Sequence, residues 1–144
     1  MIKKVDEMKD IIDVLSYYSD TLRSLQSGDS IIENMANKFY MYSTVLELIE
    51  KKKRIGFCVF YHNDRIFGKA FLSMIAVKPL YVGKGYARQL LSEVEKICAE
   101  DQMKEIGLEV RKDNHRAIRF YYKNGYKVDK SISDNSMLMH KALI

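Results

Sequence analysis

The chain has very little proline, cysteine or histidine. Its 144 residues include one proline, two cysteines and three histidines. Two cysteines cannot build the disulfide framework of a small secreted protein. Cys58 and Cys98 both lie inside apolar patterns, and they read as small buried hydrophobes in a reducing compartment rather than as a disulfide or metal pair. His62, His115 and His140 lie far apart with no ligand spacing among them, so no metal is expected. Repeats, low-complexity tracts and long linkers are missing, and residues 1–144 are expected to form a single domain. No apolar run approaches the roughly 20 residues that a membrane span needs, so no membrane association is expected. The start, Met1 to Glu7, is charged with no apolar run behind it. No signal peptide is expected there, and the cytoplasm follows as the expected location.

What is present is an ordinary globular balance, 47% hydrophobic and 30% charged, with a net charge of +5. Lys51-Lys52-Lys53-Arg54 supplies much of that charge. A basic cluster can attract nucleic acid. This one lies between two strand-like runs, where a solvated turn is the better reading, and no nucleic-acid partner is expected. A mildly basic surface also suits a polyanionic small molecule.

Ile11, Ile12, Leu15, Tyr18, Leu22 and Leu25 share one helical stripe, which predicts a helix over residues 10–25 closed by Gly28. Asp29 or Ser30 is a candidate cap for a second helix through about Lys38. Residues 42–49, 55–62 and a run from Phe67 or Ala70 to Val77 read as three strands joined by short turns, an antiparallel meander. Ala87, Leu90, Leu91, Val94, Ile97 and Cys98 return to a helical period. In the strand-like run 105–110, Ile106, Leu108 and Val110 share one face, with Gly107 and Glu109 on the other. Asn114 is a candidate cap for a helix that stops at Asn124-Gly125. Residues 126–129 and 136–142 look like closing strands. The order predicts an α/β (α+β) architecture: a mixed, twisted, mostly antiparallel sheet of about six or seven strands with helices on both faces.

Val82-Gly83-Lys84-Gly85-Tyr86-Ala87-Arg88 carries the strongest functional signal. It follows a strand and opens a helix. The first turn of a helix has free N–H groups and a partial positive charge, and glycines let a phosphate come close to the backbone. Lys84 is followed by Gly85 and not by the Ser or Thr of G-x-x-x-x-G-K-[ST], so no hydroxyl is placed for magnesium. Arg88 occupies the third glycine position of G-x-G-x-x-G, and no unit of parallel strands surrounds the loop, which excludes the dinucleotide fingerprint.

Ile75-Ala76-Val77-Lys78-Pro79 followed by Tyr81 to Ala87 resembles the acetyl-CoA-binding motif of the GNAT-type N-acetyltransferases. Leu108-Glu109-Val110, Asn114, Ala117-Ile118, Phe120-Tyr121 and Asn124-Gly125-Tyr126 resemble a second stretch of that family. The resemblance covers residues 70–128 and weakens over the first forty. One position departs: Val82 stands where the family usually has Arg or Gln, so a side-chain contact is missing. Backbone N–H groups are expected to supply most of the grip, because a hydrogen bond to a charged group contributes roughly 1.5–3 kcal/mol and several act together. Lys84 or Arg88 could add charge.

The resemblance implies a GNAT-like acyl-CoA N-acyltransferase fold and the direct transfer of an acetyl group from acetyl-CoA to a primary amine. It implies pantetheine binding at Ile75, Ala76 and Val77, pyrophosphate binding from Val82 through Gly83, Lys84, Gly85, Tyr86, Ala87 and Arg88, and cofactor contacts at Asn114. Tyr121 matches the position of the thiolate proton donor, beside the cofactor. Glu109 matches a general-base position, with Glu47 or a water as alternatives. Core packing for Tyr121 and simple solvation for Glu109 remain open beside those roles. The acceptor, longer acyl donors and a homodimer also remain open. The rival from another class is a CoA-binding regulatory module of the same fold without turnover.

Overall fold

A computed structural model of the chain describes residues 1–22 and 28–144. Its elements run β1 (Ile2–Lys4), α1 (Met8–Tyr17), α2 (Asp29–Tyr42), β2 (Thr44–Glu50), β3 (Lys53–Tyr61), β4 (Lys69–Val77), a single 3-10 turn (Pro79–Tyr81), α3 (Tyr86–Glu100), β5 (Glu105–Arg111), α4 (His115–Lys123), β6 (Lys127–Ser131) and β7 (Ser136–Ala142). The seven strands form one sheet in the order β1-β2-β3-β4-β5-β7-β6. Pairing is antiparallel except between β4 and β5. A parallel unit thus surrounds the glycine loop where the sequence suggested none, because α3 crosses the sheet face and returns the chain beside β4 in the same direction. Arg88 at the third glycine position still departs from the dinucleotide fingerprint. The mixed, mostly antiparallel sheet with helices on both faces is therefore the architecture expected from the sequence.

Alternation along the strands divides the core in two. Leu46, Cys58, Leu72, Ile106, Leu108 and Met139 face α3 and α4, where Leu90, Leu91, Val94 and Tyr121 close over them. Val45, Phe57, Val59 and Ala76 face α1 and α2, where Ile11, Leu15, Tyr18 and Phe39 cover them. β2 and β3 are covered on both sides, which explains their nearly unbroken buried runs. Cys58 and Cys98 are both buried and free, as their apolar settings suggested, and burial pushes both thiols up.

β4 changes character halfway. Val59 pairs with Met74 and Phe60 pairs with Leu72, so Ser73 is an extra residue, a β-bulge. Because side chains alternate, one extra residue reassigns every later position to the opposite face. β4 and β5 pair only from Lys69↔Glu105 to Leu72↔Leu108. The last pair lies immediately before the bulge. Beyond it β4 remains bonded to β3 through Val77, and β5 remains bonded to β7 through Arg111. The sheet therefore opens as a wedge between these two strands.

Several boundaries differ from the sequence expectations. α1 ends at Tyr17 rather than continuing toward 25, because Tyr18 turns inward, stacks on Phe57 at 4.9 Å and donates to Glu47 at 2.9 Å. Leu25 lies outside the described residues. Gly28 precedes α2 instead of closing the first helix, and it replaces Asp29 or Ser30 as the capping position. α2 runs past Lys38 to Tyr42, where the Ser43 hydroxyl and amide both donate to the Phe39 carbonyl and stop it. β1 was not anticipated at all.

Candidate active site

The wedge leads into a cleft of about 750 Å³, bounded by β4, the loop before α3, the start of α3 and one side of α4. Its size falls within the ordinary range for small-molecule sites. Ile75 and Val77 reach it from β4 because the Ser73 bulge has turned them to that face. The 3-10 turn at Pro79–Tyr81 reverses the chain, with Pro79 at its first position, and delivers the glycine loop to the helix start.

Gly85 is the N-cap of α3, with φ 89°, and Gly83 has φ 84°. Both conformations are left-handed, which side chains other than glycine adopt at a cost. A Cβ at either position would meet nothing within 4 Å among the described residues, which leave the ground in front of both open. No side chain among the described residues caps α3. Its first N–H groups thus face the cleft with the positive end of the helix dipole behind them. An uncapped helix start behind two open glycines suits an anion such as a diphosphate.

A family model described as "Acetyltransferase (GNAT) family" matches residues 11–126. The chain belongs to the GNAT acetyltransferase family. It is 36% identical over 76 residues to the spermidine N(1)-acetyltransferase of Thermoplasma acidophilum, an alignment covering 53% of the chain and 47% of that protein. The chain thus spans about half the length of this curated relative. Two solved structures share the fold. One is the PaiA N-acetyltransferase of T. acidophilum in complex with coenzyme A, at TM-score 0.74 and 24% identity, with 99% of each chain covered. The other is the ribosomal-protein-S18-alanine N-acetyltransferase of Escherichia coli, at TM-score 0.80 and 19% identity, covering 99% of this chain and 93% of that one.

This GNAT chain brings most of the residues singled out in its sequence to one place. Ile75, Ala76 and Val77 line the cleft from β4, and Val82, Gly83 and Gly85 line it from the loop. Tyr86, Ala87 and Arg88 line it from α3, with Asn114 and Tyr121 opposite. Lys84 is exposed and is not part of the lining. The Asn114 side chain caps α4 by accepting from the Ala117 amide at 3.1 Å. Tyr121 is only 8% exposed, and its hydroxyl has no hydrogen-bond partner among the described residues. Burial, and then the nearby Cys58 thiol, push the Tyr121 pKa up to about 12.

The two carboxylates fare differently. Glu109 is exposed, outside the cleft lining, on the sheet face opposite Ile106 and Leu108. Glu47 is 1% exposed and fully engaged. It accepts from the Tyr18 hydroxyl at 2.9 Å, Arg54 Nε at 2.7 Å and Arg54 Nη2 at 3.3 Å. Arg54 also reaches Asp13 at 2.9 Å and lies 4.1 Å from the Tyr17 ring centroid. That network ties α1 to β2 and β3. Burial and Glu47 together raise the Tyr18 pKa strongly, so its hydroxyl stays protonated as donor to Glu47. Among the described residues no three His, Cys, Asp or Glu side chains converge as a metal site needs, and no helix is long and apolar enough to cross a membrane.

Eight of the described residues lining the cleft were given no site role by the sequence: Tyr81, Ala117, Phe120 and Asn124, which entered only as motif positions, and four more. Thr21 and Leu22 join it from the segment after α1, and Arg116 and Lys123 join it from α4. The spacing of the latter pair, seven residues, places both on one helical face and was the available signal.

Proposed function

We propose that the chain transfers an acetyl group from acetyl-CoA directly to a primary amine. One observation carries the reading: the wedge between β4 and β5 opens onto the uncapped N-terminus of α3, with Tyr121 lining the same cleft. The cofactor pyrophosphate rests against the amides from Gly83 to Arg88, which substitute for the side chain that Val82 lacks. The pantetheine arm lies along the free edge of β4 at Ile75 to Val77 and pairs with main chain as an added strand would. The thioester then reaches the wedge, where an amine can approach from the α1/α2 face.

The amine nitrogen attacks the thioester carbonyl, an N–C bond forms and the C–S bond breaks. Holding both reactants in one wedge supplies proximity. The amine gives up a proton to Glu109 or to a water that Glu109 orients, since this carboxylate lies exposed on the approach face. Tyr121 donates its proton to the departing CoA sulfur. A phenol held well above neutrality keeps that proton until the thiolate appears. Glu47 takes no part in this scheme, because Tyr18 and Arg54 occupy it.

A polyamine is the first acceptor to try, because the T. acidophilum relative is named for spermidine. The test is a panel of amines with acetyl-CoA, scored by release of free thiol. Release with at least one amine is expected. Acetyl-CoA binding without release for any amine would favour the regulatory-module reading, toward which the missing side chain at Val82 leans.

A further inference from the structure

Among the described residues, the cleft is lined by three cations, Arg88, Arg116 and Lys123, and by no Asp or Glu. None of the three takes part in an ion pair among the described residues, whereas Arg54, Arg65 and Arg111 are all paired with carboxylates. Two of the unpaired cations occupy positions that electrostatics disfavours. Arg88 lies in the first turn of α3 and Arg116 in the first turn of α4. Neither turn carries an acidic residue, and the positive end of a helix dipole repels a cation. Such an arrangement calls for anions from outside the chain.

The diphosphate assigned to α3 accounts for one anionic centre, with Arg88 beside it. Arg116 and Lys123 belong to the opposite wall. Seven residues apart, they stand on one face of α4 with about 10 Å of helix rise between them. Phe120 lies between them in sequence and also lines the cleft. CoA carries a further phosphate on the 3′ oxygen of its ribose, away from the diphosphate. We infer that Arg116 and Lys123 bind that 3′-phosphate, so that the α4 wall selects 3′-phosphorylated donors over donors lacking the group. The inference rests on the acetyl-CoA reading above.

The test compares the binding of CoA and 3′-dephospho-CoA by calorimetry, for the wild-type chain and for the double variant Arg116→Gln/Lys123→Gln. Wild type should prefer CoA by about tenfold or more, about 1.4 kcal/mol. The double variant should lose most of that preference while keeping its affinity for 3′-dephospho-CoA. Arg88→Gln should weaken both nucleotides by a similar factor. Arg116 and Lys123 are exposed, so their loss removes no core contact. Equal binding of the two nucleotides by wild type would overturn the inference without any variant. So would a double variant that loses affinity for both equally. Failure of wild type to bind either nucleotide would overturn the acetyl-CoA reading and the inference with it.

Discussion

Tyr121 combines burial with a hydroxyl that has no hydrogen-bond partner among the described residues, and the pairing has consequences that can be measured. Tyr121→Phe removes one oxygen that bonds to nothing among the described residues, so stability should barely change. Turnover should fall by about 100-fold, the low end of what a positioned general acid contributes, with acetyl-CoA affinity nearly unchanged. With the phenol pushed up to about 12, kcat should show no alkaline loss from this group up to about pH 10. Unaltered turnover in the variant would remove Tyr121 from the chemistry. Asp101 governs stability at a second place. Its carboxylate accepts from Arg65 at 2.8 Å and from His62 at 2.7 Å, and His62 also bonds Thr44 at 2.9 Å. These contacts, Arg65 first and His62 second, hold the carboxyl below its ordinary value of 3.8. A depressed carboxylate stabilises the fold above its unfolded pKa, and the contribution disappears as pH falls through the folded value. Asp101→Asn should therefore melt below wild type at pH 7, and the two melting curves should converge below about pH 4. A gap that stays constant across that range would contradict the assignment.

Between elements, the β2–β3 hairpin shows how the basic cluster is used. Lys51 and Lys52 have φ of 51° and 68°, both left-handed, and they form the two-residue turn joining Glu50 to Lys53. Such a turn matches the twist of the strands but favours Asn-Gly, and each lysine bears a steric cost of about 1 kcal/mol. Lys51→Asn/Lys52→Gly should raise stability by about 1 kcal/mol in urea denaturation, with no change in midpoint counting against the turn geometry. The turn was legible in the sequence because it is local. α3 and α4 were legible for the same reason: their apolar periods and the Asn114 cap are contained in short windows. Other features were not. β1 has only three residues and exists through its pairing with β2. The end of α1 depends on Phe57 and Glu47, far away in sequence, drawing Tyr18 inward. The last turn of α2 carries Tyr40 and Tyr42, both exposed, whose residue type suits a strand as well as a helix. The Ser73 bulge is defined only by register against β3, so no window around Ser73 reveals it.

Across the whole molecule, one opening in the sheet and two helix starts meet at one cleft. The loop half of that site was readable, since Val82 to Arg88 are contiguous and glycine reports directly on backbone shape. On the α4 side Asn114 and Tyr121 were readable through their motif, but Arg116 and Lys123 were not, because they look like solvated helix residues until the fold turns them toward the same space. Glu109 lies on the face opposite Ile106 and Leu108, as strand alternation predicted, and outside the cleft lining. The account depends on a diphosphate bound by main-chain amides at Gly83 and Gly85. The most direct measurement is the melting temperature with and without millimolar acetyl-CoA, for wild type and for Gly85→Glu. A ligand that binds only the folded state at 100 times its Kd adds about 2.7 kcal/mol of stability, so wild type should melt several degrees higher with acetyl-CoA. Gly85→Glu, which puts a carboxylate where the phosphates belong, should show no rise above its own ligand-free value. A wild-type chain that melts at the same temperature with and without acetyl-CoA, or a variant that keeps the full rise, would contradict the account.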